Sequence, residues 1–251
     1  MNYLKTSGIV IKEVNTGEAD RIITIFSKNK GKISALAKGA RRPKSHLVAG
    51  TQLLCYSEFV LFKGKDMYTV NSCDVIESFY DIRNDLERLT YAAHMMDIVN
   101  DVILENQPAS RLLQLFLNSL YMLSKTDRSP LQIVRVFEIR LLSTMGYAPW
   151  VSSCIKCGST VFDSMYFSFL KCGFLCSKCL ENDKGALKIS EGAAKALNYI
   201  VHSKMSNLFS FEVSESVLDE LGKVSQRYMK ERLEKNYTKL DFIKTLDRIK
   251  C

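Results

Sequence analysis

The stretch RIITIFSKNKGKISALA, residues 21–37, decides how the first part of the chain folds. Ile23 and Ile25 fall on one side of an extended backbone and the residues between them on the other, which is the two-residue period of a β-strand. NKG at residues 29–31 is a turn signal, and a second apolar run follows it at residues 32–37. The stretch therefore predicts two short strands joined by a tight turn.

Three further strands are predicted around this pair, at residues 7–14, 53–62 and 67–76, from short runs rich in Val, Ile, Leu, Phe and Tyr. Turn residues separate the runs, as in Asn15-Thr16-Gly17 and Gly64-Lys65-Asp66. No helical pattern interrupts them. Five short strands in succession are typical of a small closed barrel or a sandwich.

The positive charge of the chain lies almost entirely in this region. Residues 1–50 carry ten Lys or Arg and three acids, so they hold +7 of the net +8, and no acid occurs from Arg21 to Ser57. Such asymmetry attracts polyanions, the alternative being a solvated surface loop. Together, the strand count and the charge favour a five-stranded oligonucleotide-binding (OB) barrel that contacts nucleic acid.

A basic loop, KGARRPK at residues 38–44, follows the third predicted strand. Lys and Arg neutralise phosphates, and Gly39 allows close approach of the backbone. The side chains expected to contact DNA are Lys12, Arg21, Lys32, Lys38, Arg41, Arg42 and Lys44. Nearby aromatic rings could stack on bases, although core packing explains each of them more simply: Phe26, Tyr56, Phe59 and Tyr68.

From Asp81 the apolar period changes to three and four residues, which is typical of amphipathic helices. Ser129-Pro130 is a helix start, with a hydroxyl N-cap and a proline in the first turn. Helices are predicted over residues 86–103, 112–124, 130–146, 191–203 and 215–233. The predicted fold is therefore α+β, with an OB-fold DNA-binding domain at residues 1–80 and an α-helical domain at residues 81–251.

Five of the eight cysteines lie within 26 residues, and four of them form two C-x2-C pairs separated by eighteen residues. Cys154, Cys157, Cys176 and Cys179 match the ligand set of a tetrahedral zinc site. Cys172 could replace one of them, and free thiols or a redox dithiol are the alternatives. We predict one structural zinc ion in an insertion at about residues 150–182, without a catalytic role because protein fills all four positions.

Signals for catalysis and for membrane insertion are weak. The three histidines are far apart, and no P-loop, G-x-G-x-x-G or H-E-x-x-H motif occurs. The longest stretch without a charged residue, 141–155, is too short to span a membrane. The first residues lack the pattern of a secretory signal. We therefore expect a cytoplasmic protein that is not an enzyme and does not bind a membrane.

The order and spacing of several short motifs resemble those of the bacterial recombination mediator family RecO. These motifs are residues 6–11, 17–26, 31–33 and 38–45, the GYAP at 146–149, the two cysteine pairs, and residues 228–246. The resemblance covers nearly the whole chain. It implies an N-terminal OB fold, a helical domain and a zinc-binding insertion.

The same resemblance implies a function without catalysis. Members bind single- and double-stranded DNA at the nucleoid, anneal complementary strands and, with RecR, load RecA onto DNA coated by single-stranded-DNA-binding protein. We expect the acidic tail of that last partner to bind near residues 223–250, which include Arg227, Lys230 and Arg232. Two other classes stay open: a ligase-like enzyme, whose K-x-D-G motif is absent here, and a zinc-bearing adaptor acting on RNA or in transcription.

Overall fold

The computed structural model describes residues 3–181 and 183–243. Residues 182 and 244–251, the last parts of the predicted insertion, helical domain and partner region, lie outside the described residues. The described chain forms two compact units, one up to Ser124 and one from Lys125 onward. The first unit contains the five predicted strands and three helices after them. The predicted domain boundary after residue 80 falls just after the first residue of the first of these helices and stays a prediction.

Five strands form a closed barrel in the order β1-β2-β3-β5-β4, which confirms the predicted OB barrel. All neighbouring strands are antiparallel except β3 and β5, which are parallel. The strands are β1 (Tyr3–Thr16), β2 (Asp20–Ser27), β3 (Gly31–Ala37), β4 (Tyr56–Lys63) and β5 (Tyr68–Glu77).

The alternation in β2 places Ile23 and Ile25 on the inner face of the barrel, as predicted. Both are fully buried there with Phe59 and Leu61 of β4. β1 is longer than the predicted run. Its first half pairs with β4 and its second half with β2, and the register shifts between Val10 and Lys12. Such a bulge bends a strand, so one long strand can serve both neighbours and close the barrel.

Three helices complete the first unit: α1 (Tyr80–Arg83), α2 (Leu86–Val102) and α3 (Ser110–Lys125). The connection between α2 and α3 contacts the barrel at Gly31. The amide of Lys32 donates to the Leu104 carbonyl at 3.1 Å, and Gly31 forms a bridge with Glu105. Gly31 has a φ of +62°, and a Cβ there would collide with the backbone carbonyls of Leu104 and Gln107. Glycine is therefore required at this junction.

The second unit combines three helices with a small antiparallel sheet of order β7-β6-β8. The elements are α4 (Pro130–Leu142), β6 (Met165–Ser168), β7 (Gly173–Cys176), β8 (Leu187–Ile189), α5 (Glu191–His202) and α6 (Glu215–Leu233). Ser129 Oγ accepts from the Gln132 amide at 3.3 Å, which confirms the predicted start of α4. The α-helix ends at Leu142, earlier than predicted, because the chain continues as a π-helical turn up to Tyr147 in which Gly146 has a φ of +96°.

α4 is buried on almost all sides, including two charges. Arg135 and Glu138 pair at 2.8 Å, and Ser225 of α6 donates to Glu138 at 2.6 Å. This pairing satisfies a carboxylate that would otherwise be costly to bury. Among the described residues, the helices lack the combination of length and apolar character that crossing a bilayer requires.

Replacing Gly31 tests whether the junction with the α2–α3 connection stabilises the first unit. Gly31→Ala adds a collision with two carbonyls to the left-handed strain, whereas Gly17→Ala (φ +53°) meets nothing within 4 Å. Strain alone costs about 1–2 kcal/mol, so Gly17→Ala should lower the free energy of unfolding by that amount. Gly31→Ala should lower the free energy of unfolding by about 1–3 kcal/mol more than Gly17→Ala does. Urea denaturation followed by circular dichroism measures both values. Equal losses in the two variants would contradict this account of the junction.

Candidate metal centre and nucleic-acid interface

The first cysteine pair lies in a tight turn that is fixed by backbone hydrogen bonds. The Cys154 amide donates to the Ser159 carbonyl at 2.8 Å, and the Gly158 amide donates to the Cys154 carbonyl at 2.8 Å. Gly158 has a φ of +74°, a conformation that favours glycine. Ile155 donates to the carbonyl of Phe174 in β7, so the turn is joined to the strand that leads into the second pair.

The structure brings the four predicted ligands together. The sulfur atoms of Cys154, Cys157, Cys176 and Cys179 all lie within 4.8 Å of one another, and those of Cys157 and Cys176 are 3.8 Å apart. A tetrahedral site with Zn–S bonds of about 2.3 Å requires sulfur atoms roughly 3.8 Å apart. Cys157 is exposed and the other three are buried. The geometry therefore fits a zinc site with four protein ligands.

The electrostatics of the four thiols also favour a bound cation. Burial would raise the pKa of Cys154, but backbone N–H groups of Cys157, Cys176 and Lys156 donate to its sulfur and lower that pKa to about 6. Burial and then hydrogen bonds with the other three thiols raise the pKa of Cys179 to about 12. Hydrogen bonds thus stabilise one thiolate, that of Cys154, whereas four thiolates together need a positive ion.

Cys172 is not a member of this group of four. It follows β6 in a turn, where its thiol contacts the Phe169 carbonyl at 3.7 Å. Its neighbour Gly173 lies against Trp150, whose amide donates to the Cys172 carbonyl and whose indole N–H donates to Ser153 Oγ at 3.0 Å. The cysteine that the spacing left ambiguous therefore lies in the turn beside the only tryptophan of the chain, outside the four-cysteine cluster.

α6 holds the insertion through two arginines. The Arg227 guanidinium lies 4.0 Å from the centre of the Phe169 ring and donates to the Gly185 carbonyl at 2.8 Å. Arg232 donates to the Phe169 carbonyl at 2.7 Å. Both side chains were predicted to serve an acidic partner, and both are already engaged inside the second unit. Of that predicted set, Arg227 and Lys230 are exposed on the helix, and Arg227 pairs with Glu231 at 2.8 Å.

We use the term basic connection for residues 38–44, where the chain leaves β3. Its backbone is fixed against the β1–β2 turn, because the Gly39 amide donates to Asp20 at 2.7 Å and the Arg41 amide donates to the Ala19 carbonyl at 2.9 Å. Four predicted side chains project from this fixed backbone and are exposed: Lys38, Arg41, Arg42 and Lys44. Exposed cations on a rigid segment form a surface suited to phosphates.

The other three predicted cations lie elsewhere in the first unit. Lys12 is exposed on β1. The side chain of Arg21 is 14% exposed, and its guanidinium lies 3.2 Å from Glu13 and donates to the Thr51 carbonyl at 3.1 Å. Its charge is therefore neutralised within the first unit. The ammonium group of Lys32 donates to the Asn100 carbonyl of α2. The predicted DNA-contacting set is therefore brought together only in part, and its DNA contacts stay predictions.

Of the four aromatic residues considered for base stacking, two are buried and two are partly accessible. Phe26 and Phe59 are fully buried and therefore belong to the interior. Phe26 lies outside the barrel-core cluster and pairs across the sheet with Lys32, where the α2–α3 connection covers the strand. Tyr56 and Tyr68 are half-buried, so part of each remains accessible.

Comparisons with known proteins agree with this architecture. The model of the family described as Recombination protein O N terminal matches residues 1–79, and that described as Recombination protein O C terminal matches residues 83–241. A protein named DNA repair protein RecO from Alkaliphilus metalliredigens is 37% identical over 97% of this chain and 99% of its own length. Proteins of the same name from Caldicellulosiruptor saccharolyticus and Symbiobacterium thermophilum are 36% and 30% identical over 97% and 98% of this chain, and 99% and 98% of their own lengths.

Both halves of the chain thus match one family in sequence, and each carries the feature that the sequence predicted, an OB barrel in the first and a four-cysteine cluster in the second. A role in DNA repair and recombination follows from this membership. The chain belongs to the RecO family of DNA repair proteins.

Proposed function

We propose that this protein is a recombination mediator without catalytic activity of its own. In this proposal it anneals complementary single strands and, with RecR, helps load RecA onto DNA coated by single-stranded-DNA-binding protein. The observation that carries the proposal is the basic connection, four exposed cations on a backbone fixed to the end of an OB barrel. The membership of the chain in the RecO family supports the proposal further. Because its ligand in this proposal is chromosomal DNA, the protein would act in the cytoplasm, at the nucleoid.

Annealing requires a surface that binds the backbone of a strand while its bases stay available. Phosphate contacts carry no base information and leave the base edges free to pair. The cations of the basic connection meet this requirement because they are exposed and their backbone is held by the β1–β2 turn. Single- and double-stranded DNA both present phosphates, so the same surface can serve the two strands before and after pairing.

The second part of the proposal assigns one structural zinc ion to Cys154, Cys157, Cys176 and Cys179. The sulfur spacing and the need to neutralise four thiolates support zinc, and a site filled by four protein ligands does not activate water. The ion would stabilise the insertion that Arg227 and Arg232 hold against α6.

The partner surfaces remain part of the proposal. Contact with the acidic tail of single-stranded-DNA-binding protein needs exposed cations that are not already bonded. In α6 we propose Lys223 and Lys230 for this contact, because Arg227 is paired with Glu231 and both arginines donate to carbonyls of their own unit. Contact sites for RecR and RecA are proposed without assigned residues.

The function is tested by strand annealing on DNA coated with the cognate single-stranded-DNA-binding protein, with and without RecR. The proposal expects annealing by the protein alone and faster RecA filament formation when RecR is added. Preferential binding of single-stranded RNA over DNA in a competition assay would favour the RNA adaptor instead. ATP-dependent sealing of nicked DNA would favour an enzyme.

Removing the cations of the basic connection should weaken DNA binding and its salt dependence. Each phosphate contact on a single strand contributes a slope of about −0.7 in log K against log salt concentration. R41A/R42A/K44A should therefore make the slope shallower by roughly 2 units. The loss should be similar for different sequences, because phosphates carry no base information. Fluorescence anisotropy at several salt concentrations measures it.

The matched control removes three exposed lysines of the second unit, K204A/K223A/K230A. This variant should keep a slope close to that of the unchanged protein. If instead it loses the slope while the folded R41A/R42A/K44A variant keeps it, DNA follows the helical unit and the proposed interface is wrong.

Single cysteine replacements test the ligand set. Cys176→Ser should lower the zinc content from one ion per chain towards zero, because three thiolates leave an open position. Cys172→Ser should retain the ion, since its thiol contacts the Phe169 carbonyl outside the cluster. Elemental analysis of purified protein measures both. Loss of zinc in Cys172→Ser together with its retention in Cys176→Ser would reverse the assignment.

A further inference from the structure

A polar pocket of about 230 Å³ lies in the first unit beside the β4–β5 turn. Four separate segments line it: the β2–β3 turn, β3, the end of β4 with the β4–β5 turn, and the connection after α2. Each of the first three segments contributes lysine, giving Lys30, Lys32, Lys63 and Lys65 around one space. We call it the lysine pocket. Of its lysines, the sequence analysis identified Lys32 alone as a functional residue.

The positive charge of the lysine pocket is neutralised only in part within the described chain. Lys32 donates to the Asn100 carbonyl and keeps its charge. Within residues 3–181 and 183–243, no carboxylate forms an ion pair with Lys30, Lys63 or Lys65. Two acids also line the space, Asp66 and Glu105, so the lining carries a net charge of +2. Like charges that converge without partners destabilise a fold, which indicates a site for an anion.

The shape and charge of the pocket favour one kind of anion. A phosphate monoester carries about −1.5 to −2 at pH 7 and offers three acceptor oxygens, whereas a phosphodiester inside a strand carries a single charge. A pocket accommodates the end of a chain more readily than a segment that continues on both sides. Its volume equals roughly eight water molecules, which exceeds a phosphate group and leaves room for part of the attached nucleoside. Tyr68 lines the same space and offers an aromatic face to that nucleoside.

We propose that the lysine pocket binds the phosphate monoester at the end of a nucleic-acid strand. This inference rests on the proposed function, since it assumes that the strand is the DNA held by the basic connection. Lys32 lies near the start of β3 and Lys38 directly after its end. The extended strand between them is about 20 Å long. A strand whose end occupies the pocket can therefore follow β3 to the basic connection.

The experiment compares strand ends of defined chemistry. Single-stranded oligothymidylates with a 5′-phosphate, a 3′-phosphate or hydroxyls at both ends, and a circular single strand, are titrated with the full-length protein. At least one phosphorylated end should bind about tenfold more tightly than the hydroxyl ends, because the monoester adds charge and charge-assisted hydrogen bonds that a hydroxyl lacks. Comparing the two phosphorylated ends identifies which end the pocket accepts.

Variants locate the preference in the pocket. K63Q/K65Q removes two exposed lysines of the pocket and should reduce the ratio of phosphate-end to hydroxyl-end affinity to about one. K5Q/K28Q removes two exposed lysines of the same unit that do not line the pocket, and it should keep the ratio. A ratio that survives in K63Q/K65Q, or that disappears in K5Q/K28Q, would overturn the inference.

A second measurement does not depend on long DNA. Thymidine monophosphate, titrated into the unchanged protein and followed by nuclear magnetic resonance, should shift the ring signals of Tyr68, and thymidine should not. Equal affinity for all ends together with binding of the circular strand would refute the pocket and leave the DNA-binding function intact. Failure to bind any of the DNAs would refute both.

Discussion

The closure of the barrel between β3 and β5 is the constraint on which the candidate interface depends. Only two residue pairs join these strands, Ala35 with Tyr68 and Leu36 with Thr69, and they are parallel. Parallel neighbours cannot be joined by a hairpin, so the chain must leave β3, cross the end of the barrel and return through β4. The exposed basic connection is the start of that crossing. The end of β4 and the β4–β5 turn, which carry Lys63 and Lys65 of the pocket, belong to its return.

In the second unit, a stable insertion depends on positive charge at two places, at the cysteine cluster and at Phe169. The four thiolates need a cation to lie so close together. The insertion they organise is then held by Arg227 and Arg232, whose guanidinium groups contact the ring and the carbonyl of Phe169. These arginines stabilise structure, which reduces the number of cations that α6 can offer to an acidic partner.

Local patterns predicted the parts of the fold that depend on neighbours in sequence. The alternation around Ile23 and Ile25, the cap at Ser129 and the spacing of the cysteine pairs each describe interactions within a few residues. Contacts between distant residues were not predictable in this way. Arg21 is neutralised by Glu13 on another strand, and Phe26 is buried where the connection at Leu104 covers β3. The lysine pocket combines four segments, and its turn lysines resemble ordinary solvated residues in sequence.

The position of Trp150 gives this protein an internal optical reporter. It is the single tryptophan of 251 residues, and the residue is 54% exposed. Its indole N–H donates to Ser153, the residue that precedes Cys154. Excitation selective for tryptophan therefore reads the surroundings of the cysteine cluster without contribution from the barrel. The emission of unlabelled protein can follow the second unit while the first unit binds its ligand.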